Sequence, residues 1–482
     1  MKVSSLRRLV VAAVGVAALS AGVAMAADDA HSEKKMPFVR VSPRDARYFE
    51  LSDGRPYIPI GLNMIQPPRG AKQEDLGPMA DWIKSLAANR GNFIRVWLSA
   101  PYFDVEHEKS GRYDEARFAR IFDLLNLCRA QGVRVKMCLE HFRTLEGGKE
   151  WSRKDLHLVE NGGPATDAAD FFADEKGRRQ FKRKLTWFAD RFGDRPAVFG
   201  WELWNEVNCV RGADWYAWSE VMLADLHRKF RRNLAMQSLG SFDRDSGRAM
   251  YRRLVALPGN DVAQVHRYLD LGAALEVCRG PVDVLAADAV REILTMKPGR
   301  PVLLAESGAV EPNHSGPFKL YAKDSAGLIL HDVLFAPFFA GAAGPGHIWH
   351  WDHYVAKNDL WRHFGRFAEA VDGIDPPAEG FKAGMIEHPR LRIYTLTGRR
   401  TFLAWLRDGE NTWQAELADG KPPRPVAGAV LALPAGVPGL DGARLRTYDP
   451  WTNTWVPAEA AGGKVALPAF TRSLVVRIDA AR

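Results

Sequence analysis

Gly200-Trp201-Glu202-Leu203-Trp204-Asn205-Glu206 is an aromatic-rich run that ends in an Asn-Glu pair. A second run, Val302-Leu303-Leu304-Ala305-Glu306, also ends in a carboxylate and is followed by Ser307-Gly308. Both read as short buried strands, because bulky apolar residues without helical spacing suit a covered sheet. Six similar stretches accompany them: Tyr57–Asn63, Phe93–Leu98, Val133–His141, Leu234–Leu239, Val262–Tyr268 and Gly346–Trp351. Between them lie helical segments at Asp114–Gln131, Asp174–Phe192, Trp215–Arg232 and Asp324–Ala340. Phe118, Ile121, Phe122 and Leu125 show the helical spacing of apolar residues. Strand and helix alternating eight times predict an α/β fold, a (β/α)8 TIM barrel, whose functional residues leave the C-terminal ends of the strands.

Outward from this centre, Phe38–Val41 and Tyr48–Leu51 read as a hairpin that plugs the barrel floor. Arg143–Asp170 is too long and too polar for an ordinary connection, and is expected to form a functional loop on the upper face. After Asp372-Gly373-Ile374-Asp375-Pro376-Pro377 the pattern changes to strands at Leu391–Thr397, Thr401–Leu406, Thr412–Leu417, Leu445–Tyr448 and Leu474–Ile478. That predicts a C-terminal β-sandwich domain. The expected divisions are a leader at 1–26, an N-terminal segment with the hairpin at 27–56, the barrel at 57–375 and the sandwich at 376–482.

Composition excludes other classes. The chain has 482 residues, 46% of them hydrophobic and 26% charged, which is the balance of a globular protein. Residues 1–26 carry Lys2, Arg7 and Arg8, then an apolar run and Ala24-Met25-Ala26, the plan of a secretory signal peptide. Its removal lowers the formal charge from +8 to +5. With no Lys/Arg block, neither nucleic acid nor a membrane is expected as partner of the mature protein, which should be secreted or periplasmic. Cys128, Cys138, Cys209 and Cys278 show no C-x-x-C spacing, and buried free thiols are the preferred reading. The sequence names no oligomeric state.

Carboxylates at the ends of the fourth and seventh strands face each other across a barrel mouth. Retaining glycoside hydrolysis needs such a pair, one as acid/base and one as nucleophile. On these residues the chain resembles clan A glycoside hydrolases, most closely glycoside hydrolase family 5, the cellulase and mannanase group. The resemblance implies Glu206 as acid/base, Glu306 as nucleophile and Asn205 as partner of the sugar 2-hydroxyl. It extends to Arg95 in Ile94-Arg95-Val96-Trp97, to His141, and to His266 and Tyr268 in His266-Arg267-Tyr268, the Tyr positioning the nucleophile. Trp349 or Trp351 matches the Trp under the cleaved sugar. Val207 follows Glu206 where many relatives have Pro.

Other readings of these residues compete. Glu202 shares strand parity with Glu206 and is expected as a buried partner of Arg95. His141 competes with Glu140 for the inward position, since strand neighbours face opposite ways. His347, His350 and His353 invite a metal reading, but alternation along a strand keeps them from converging. Trp97, Trp204, Trp349 and Trp351 are candidates for stacking on sugar C–H faces. The resulting expectation is a secreted retaining β-glycosidase without metal or cofactor, acting on a β-linked polysaccharide or oligosaccharide, β-mannan or β-glucan foremost. A non-catalytic carbohydrate-binding barrel and a transglycosylase are the rivals.

Overall fold

The computed structural model describes residues 36–68, 75–141, 156–210, 212–437 and 442–481. The expected leader at 1–26 lies outside the described residues, and the expected loop Arg143–Asp170 enters them only from Leu156.

Five parallel strands stand in consecutive order: Gly61–Asn63, Phe93–Trp97, Arg134–His141, Val198–Asn205 and Leu234–Met236. A Cβ at Gly61 would fall 1.7 Å from the Phe93 carbonyl oxygen, so only glycine lets the first two strands approach this closely. The sixth and seventh strands, Ala263–His266 and Val302–Glu306, pair in parallel. The Asp261 N–H donates to the Ala235 carbonyl (2.9 Å) and links the fifth strand to the sixth. Residues 346–349 take the eighth position, since His347 N–H donates to Leu304 O (2.9 Å) and Asn63 N–H to Ile348 O (3.0 Å). Hydrogen bonds therefore run around the whole ring, as the (β/α)8 reading requires.

The eighth strand is shorter than the expected Gly346–Trp351. Its chain turns back where Trp351 N–H donates to Trp349 O (2.9 Å), and Trp351 opens a helical turn, Trp351–Ala356. Helix boundaries follow capping chemistry. Asp114 accepts from the N–H groups of Ala116 and Arg117 ahead of Glu115–Ala130, and Asp174 accepts from Lys176 N–H ahead of Glu175–Phe192. Below the barrel, Val39–Val41, Phe49–Leu51 and Pro56–Tyr57 form a three-stranded antiparallel sheet. Its Phe49 and Tyr57 rings meet Phe199 at 5.3 and 6.2 Å, beside Phe93 at 5.1 Å, and pack against the barrel floor.

The C-terminal part holds two antiparallel sheets. Six strands run in the order Lys382–Ile386, Leu391–Thr397, Thr401–Asp408, Ser473–Asp479, Arg444–Asp449, Thr454–Pro457. Three more, Val430–Ala432, Lys464–Ala466 and Ala460–Ala461, form the second sheet. Alternation along Thr401–Asp408 serves two layers. Phe402, Ala404 and Leu406 join Leu431 and Val465 in one apolar cluster, while Leu403 and Trp405 join the barrel core. Thr412–Leu417 is not the expected strand. Thr412 Oγ1 accepts from Ala415 N–H (3.2 Å) and starts a helical turn, Gln414–Ala418.

All twelve residues of the helix Leu328–Phe339 are buried, because the barrel covers one side and the large sheet the other. Its Asp332 receives Arg407 Nε at 2.7 Å, and Asp283 on the preceding helix receives Arg392 Nε at 2.6 Å. Aromatic residues fill the same seam. Trp405 lies 5.7 Å from Phe335, and Trp413, Trp451 and Trp455 donate their Nε1–H to Gly280 O, Ser473 Oγ and Glu369 Oε1. These four indoles make no exposed platform for polysaccharide.

Two stability predictions come from this packing. Asp332→Ala leaves the fully buried Arg407 guanidinium without its carboxylate and should cost about 3–5 kcal/mol in denaturant unfolding. The Asp332→Leu, Arg407→Met pair should regain most of that loss, and a single-variant cost under about 1 kcal/mol would show the pair to be dispensable. The second concerns His347, stacked 4.3 Å from Phe93, whose pKa burial pushes down to about 3. Above pH ~6.5 both folded and unfolded states hold it neutral, so its stabilising share is complete. As the pH falls from there toward 3, only the unfolded chain takes up the proton, and stability drops. The pH slope of unfolding over that window should be shallower in His347→Gln by up to about 1.4 kcal/mol per pH unit. Parallel slopes would rule out this residue as an acid-sensitive group.

Candidate active site at the barrel mouth

The fourth strand departs from simple alternation. Trp201 packs outward on Phe230 (4.4 Å) and Trp204 outward on Phe172 (5.2 Å), three residues apart. Glu202 and Asn205, also three apart, both turn inward to Arg95. The neighbouring third strand does the same. Lys136 reaches in to Gln264 and His141 to Ser99 Oγ (2.8 Å), while Glu140 turns out to Lys184.

Arg95 is the hub of the interior. Its side chain is completely buried, and its guanidinium donates through Nε to Glu202 Oε2 (2.7 Å) and through Nη2 to Asn205 Oδ1 (2.6 Å). Nη1 serves both Asn63 Oδ1 (3.2 Å) and Glu306 Oε1. Burial disfavours the charge, but Glu202 and Glu306 outweigh it and hold the Arg95 pKa above the ordinary arginine value. Burial likewise opposes ionisation of Glu202, yet Arg95 and Lys136 bring its pKa down to about 2. Lys136 Nζ lies 3.4 Å from Glu202 Oε2, and its own pKa falls to about 8 because burial outweighs that contact.

Glu306 ends the seventh strand, 3% exposed, and its Oε2 accepts the Tyr268 hydroxyl at 2.8 Å. Burial, then Glu306 itself, raise the Tyr268 pKa well above its usual value, so the phenol keeps its proton. Glu206 stands one residue beyond the fourth strand with φ 52°, a left-handed conformation rare outside glycine. Its N–H donates to Ser238 Oγ (3.1 Å). The His266 ring lies between the two carboxylates, with Nδ1 at 3.0 Å from Glu206 Oε1 and 3.5 Å from Glu306 Oε2. Burial, partly offset by Glu306, lowers the His266 pKa to about 4 and keeps the ring neutral. One carboxylate oxygen of Glu206 and one of Glu306 come within 4.8 Å. That fits the narrow spacing of about 5–5.5 Å for retaining sites better than the roughly 6.5–9.5 Å of inverting ones.

A family model described as Cellulase (glycosyl hydrolase family 5) matches residues 59–326. The chain belongs to glycosyl hydrolase family 5. Arg95, Glu206 and Glu306 all lie within the matched residues. Mannan endo-1,4-beta-mannosidase 4 of Oryza sativa subsp. japonica is 26% identical over 212 residues, 41% of this chain and 45% of that protein. The chain thus matches less than half of that relative's length. A second rice relative, provisionally named mannan endo-1,4-beta-mannosidase 9, is 23% identical over 416 residues, 80% of this chain and 96% of that protein. Among solved structures, a glycoside hydrolase family 5 protein from Bacteroides vulgatus shares the fold at TM-score 0.54 with 12% identity, over 93% of this chain and 94% of that one.

Aromatic rings wall the barrel mouth beside the two glutamates. Trp97 stacks on His141 at 4.7 Å and meets Trp349 at 5.0 Å, and Trp349 remains part-exposed. Trp351 is 5% exposed and packs edge-on behind Trp349 at 5.8 Å, so Trp349 alone of the two offers a face. Trp204 is corrected: it lies under the outer helices, away from the mouth. The three histidines of the His347–His353 run do not converge. His347 donates to Pro59 O, His350 meets Tyr321, and His353 stands exposed beside Asp352. Sequence reading missed Asn63, Ser99, Lys136 and Ser238, which hold Arg95, His141, Glu202 and Glu206. Asn63 and Lys136 were open to detection, as polar residues within otherwise apolar strands.

Tyr268→Phe removes one donor from Glu306 without altering the packed ring. Activity on a β-linked substrate, as kcat/KM, should fall about 10- to 100-fold, the worth of one hydrogen bond to a charged group. Thermal stability should hold, and wild-type kcat/KM in this variant would remove Tyr268 from the site's machinery.

Proposed function

We propose that this family 5 enzyme is exported and hydrolyses β-1,4-linked mannan by double displacement. The reading rests on one observation: Glu306, held by Arg95 and Tyr268, faces Glu206 within 4.8 Å beside the part-exposed Trp349. Glu306 attacks the anomeric carbon, and Glu206 protonates the departing oxygen. Glu206 then deprotonates the water that releases the sugar. The two donors on Glu306 suit an ionised nucleophile. Glu206 has the more exposed side chain, 15% against 4%, and can exchange its proton with incoming water. Because Arg95 only donates, the Asn205 atom facing it must be Oδ1, and its amide N–H groups remain for the sugar 2-hydroxyl.

Mannan is favoured because the two rice relatives carry mannosidase names. Export is inferred from the leader pattern at 1–26. The two C-terminal sheets are read as a β-sandwich that braces the barrel, since the indoles and buried ion pairs lie in the seam.

Defined manno-, gluco- and xylo-oligosaccharides test the substrate. Turnover of β-1,4-mannan is expected to exceed that of the others, and faster cleavage of β-glucan would replace mannan in this reading. The roles are separable with azide. Glu206→Ala should keep activity on substrates with acidic leaving groups and yield a β-glycosyl azide. Glu306→Ala should form no covalent intermediate and yield an α-azide. Exchanged stereochemistry would reverse the two assignments. Wild-type activity in either variant would end its residue's place in the mechanism.

A further inference from the structure

A pocket of about 220 Å³ opens between the barrel helix Arg362–Ala370 and the C-terminal sheets. Arg362, His363 and Arg366 line it from the barrel side, Trp451 and Arg472 from the other. None of these groups holds Glu206 or Glu306. Their charges are unevenly matched. Arg472 is paired with Glu416 through Nε (3.0 Å) and Nη2 (2.5 Å), and covers the Trp451 ring at 4.6 Å. Among the described residues Arg362 donates only to main-chain carbonyls, those of Asp359, Ser325 and Ala326 at 3.0–3.1 Å. Arg366 Nη1 is buried and has no hydrogen-bond partner among the described residues. Glu369, on the same helix, is engaged by Arg90 and Trp455 instead.

From this geometry we infer that the pocket binds a compact tetrahedral oxyanion of the phosphate type through Arg366 and Arg362. Guanidinium groups present fixed forks of N–H donors that match phosphate and sulfate oxygens. Neither guanidinium has a carboxylate partner among the described residues, so an anion in the pocket would supply the missing counter-charge. The volume equals roughly seven waters at ~30 Å³ each, room for an oxyanion with its hydration or for a phosphate carried on one sugar. A sugar stacking on indole fits less well, because Arg472 already covers Trp451. His363 reports the same positive field. Burial first, then the nearby arginines, lower its pKa to about 3, and its Nε2–H stays on Ala326 O at 2.7 Å.

Titration calorimetry and thermal unfolding of the whole protein test the assignment, with ionic strength held constant by NaCl. Inorganic phosphate, sulfate and mannose 6-phosphate are the probes. Wild type is expected to bind phosphate saturably at one site, with the thermal midpoint rising by about 2 °C or more. Arg366→Gln should weaken binding at least tenfold and leave the phosphate-free midpoint and glycoside hydrolysis unchanged, because Arg366 makes no ion pair with any of the described residues and lies outside the barrel mouth. Arg362→Gln, at an exposed position, should weaken binding severalfold and serves as a second variant if the first fails to fold. Tighter binding of mannose 6-phosphate than of phosphate would assign the pocket to sugar-borne anions, and the reverse to the free ion. No saturable binding of any probe, or equal binding by wild type and both variants, would overturn the proposal.

Discussion

A guanidinium enclosed in a barrel of apolar strands sets the terms for everything around it. Arg95 has no access to water, so each N–H must find an acceptor and its charge a counter-charge within the interior. Glu202 supplies one carboxylate from the fourth strand and Glu306 another from the seventh, with amide oxygens from Asn63 and Asn205. Two anions against one cation would leave an excess, and Lys136 balances it beside Glu202. The Glu306 carboxylate is therefore fixed by the charge balance of the core. Any change at Arg95 must disturb both the packing of the barrel and the position of Glu306.

The same rule recurs at the seam between barrel and C-terminal sheets. Arg407 with Asp332, and Arg392 with Asp283, are buried pairs carried by elements that are otherwise apolar. Such pairs add little net stability compared with well-packed apolar residues, but they penalise any docking that separates the partners. They fix the register of the large sheet against the helix Leu328–Phe339, while Trp405 and its aromatic neighbours supply the apolar contact. Against that background Arg366 differs in kind, for it lines a cavity while its buried Nη1 has no acceptor among the described residues.

Much of this was legible in the sequence, for identifiable reasons. Strand seven ends in a Glu and strand four is followed at once by another, and a carboxylate closing an apolar run is a contrast that survives any detail of packing. Arg95 and Glu202 were recognisable as partners because a charge in a continuous apolar strand demands an opposite one. Alternation misled where strands twist. Trp204 shares inward and outward parity with Glu202 by simple counting, yet the slip between Glu202 and Asn205 carries it outward. Thr412–Leu417 has the composition of a strand, but a single side-chain cap at Thr412 turns it into a helix. Such local competition between hydroxyl and ladder is invisible in a hydropathy pattern.

A one-residue offset separates the two glutamates. Glu306 is the last residue of its strand and pairs in register with His266, so its carboxylate stays inside the barrel beside Arg95. Glu206 lies one residue beyond its strand, at φ 52°, which lifts its side chain toward the opening. A left-handed residue with a side chain costs about 1–3 kcal/mol and persists only where neighbours enforce it. Here Ser238 Oγ takes the Glu206 N–H, and His266 takes its carboxylate. One glutamate is thereby held among fixed donors and the other beside solvent, within reach of each other. Unequal surroundings of this kind are what the proposed division into nucleophile and acid requires of two identical side chains.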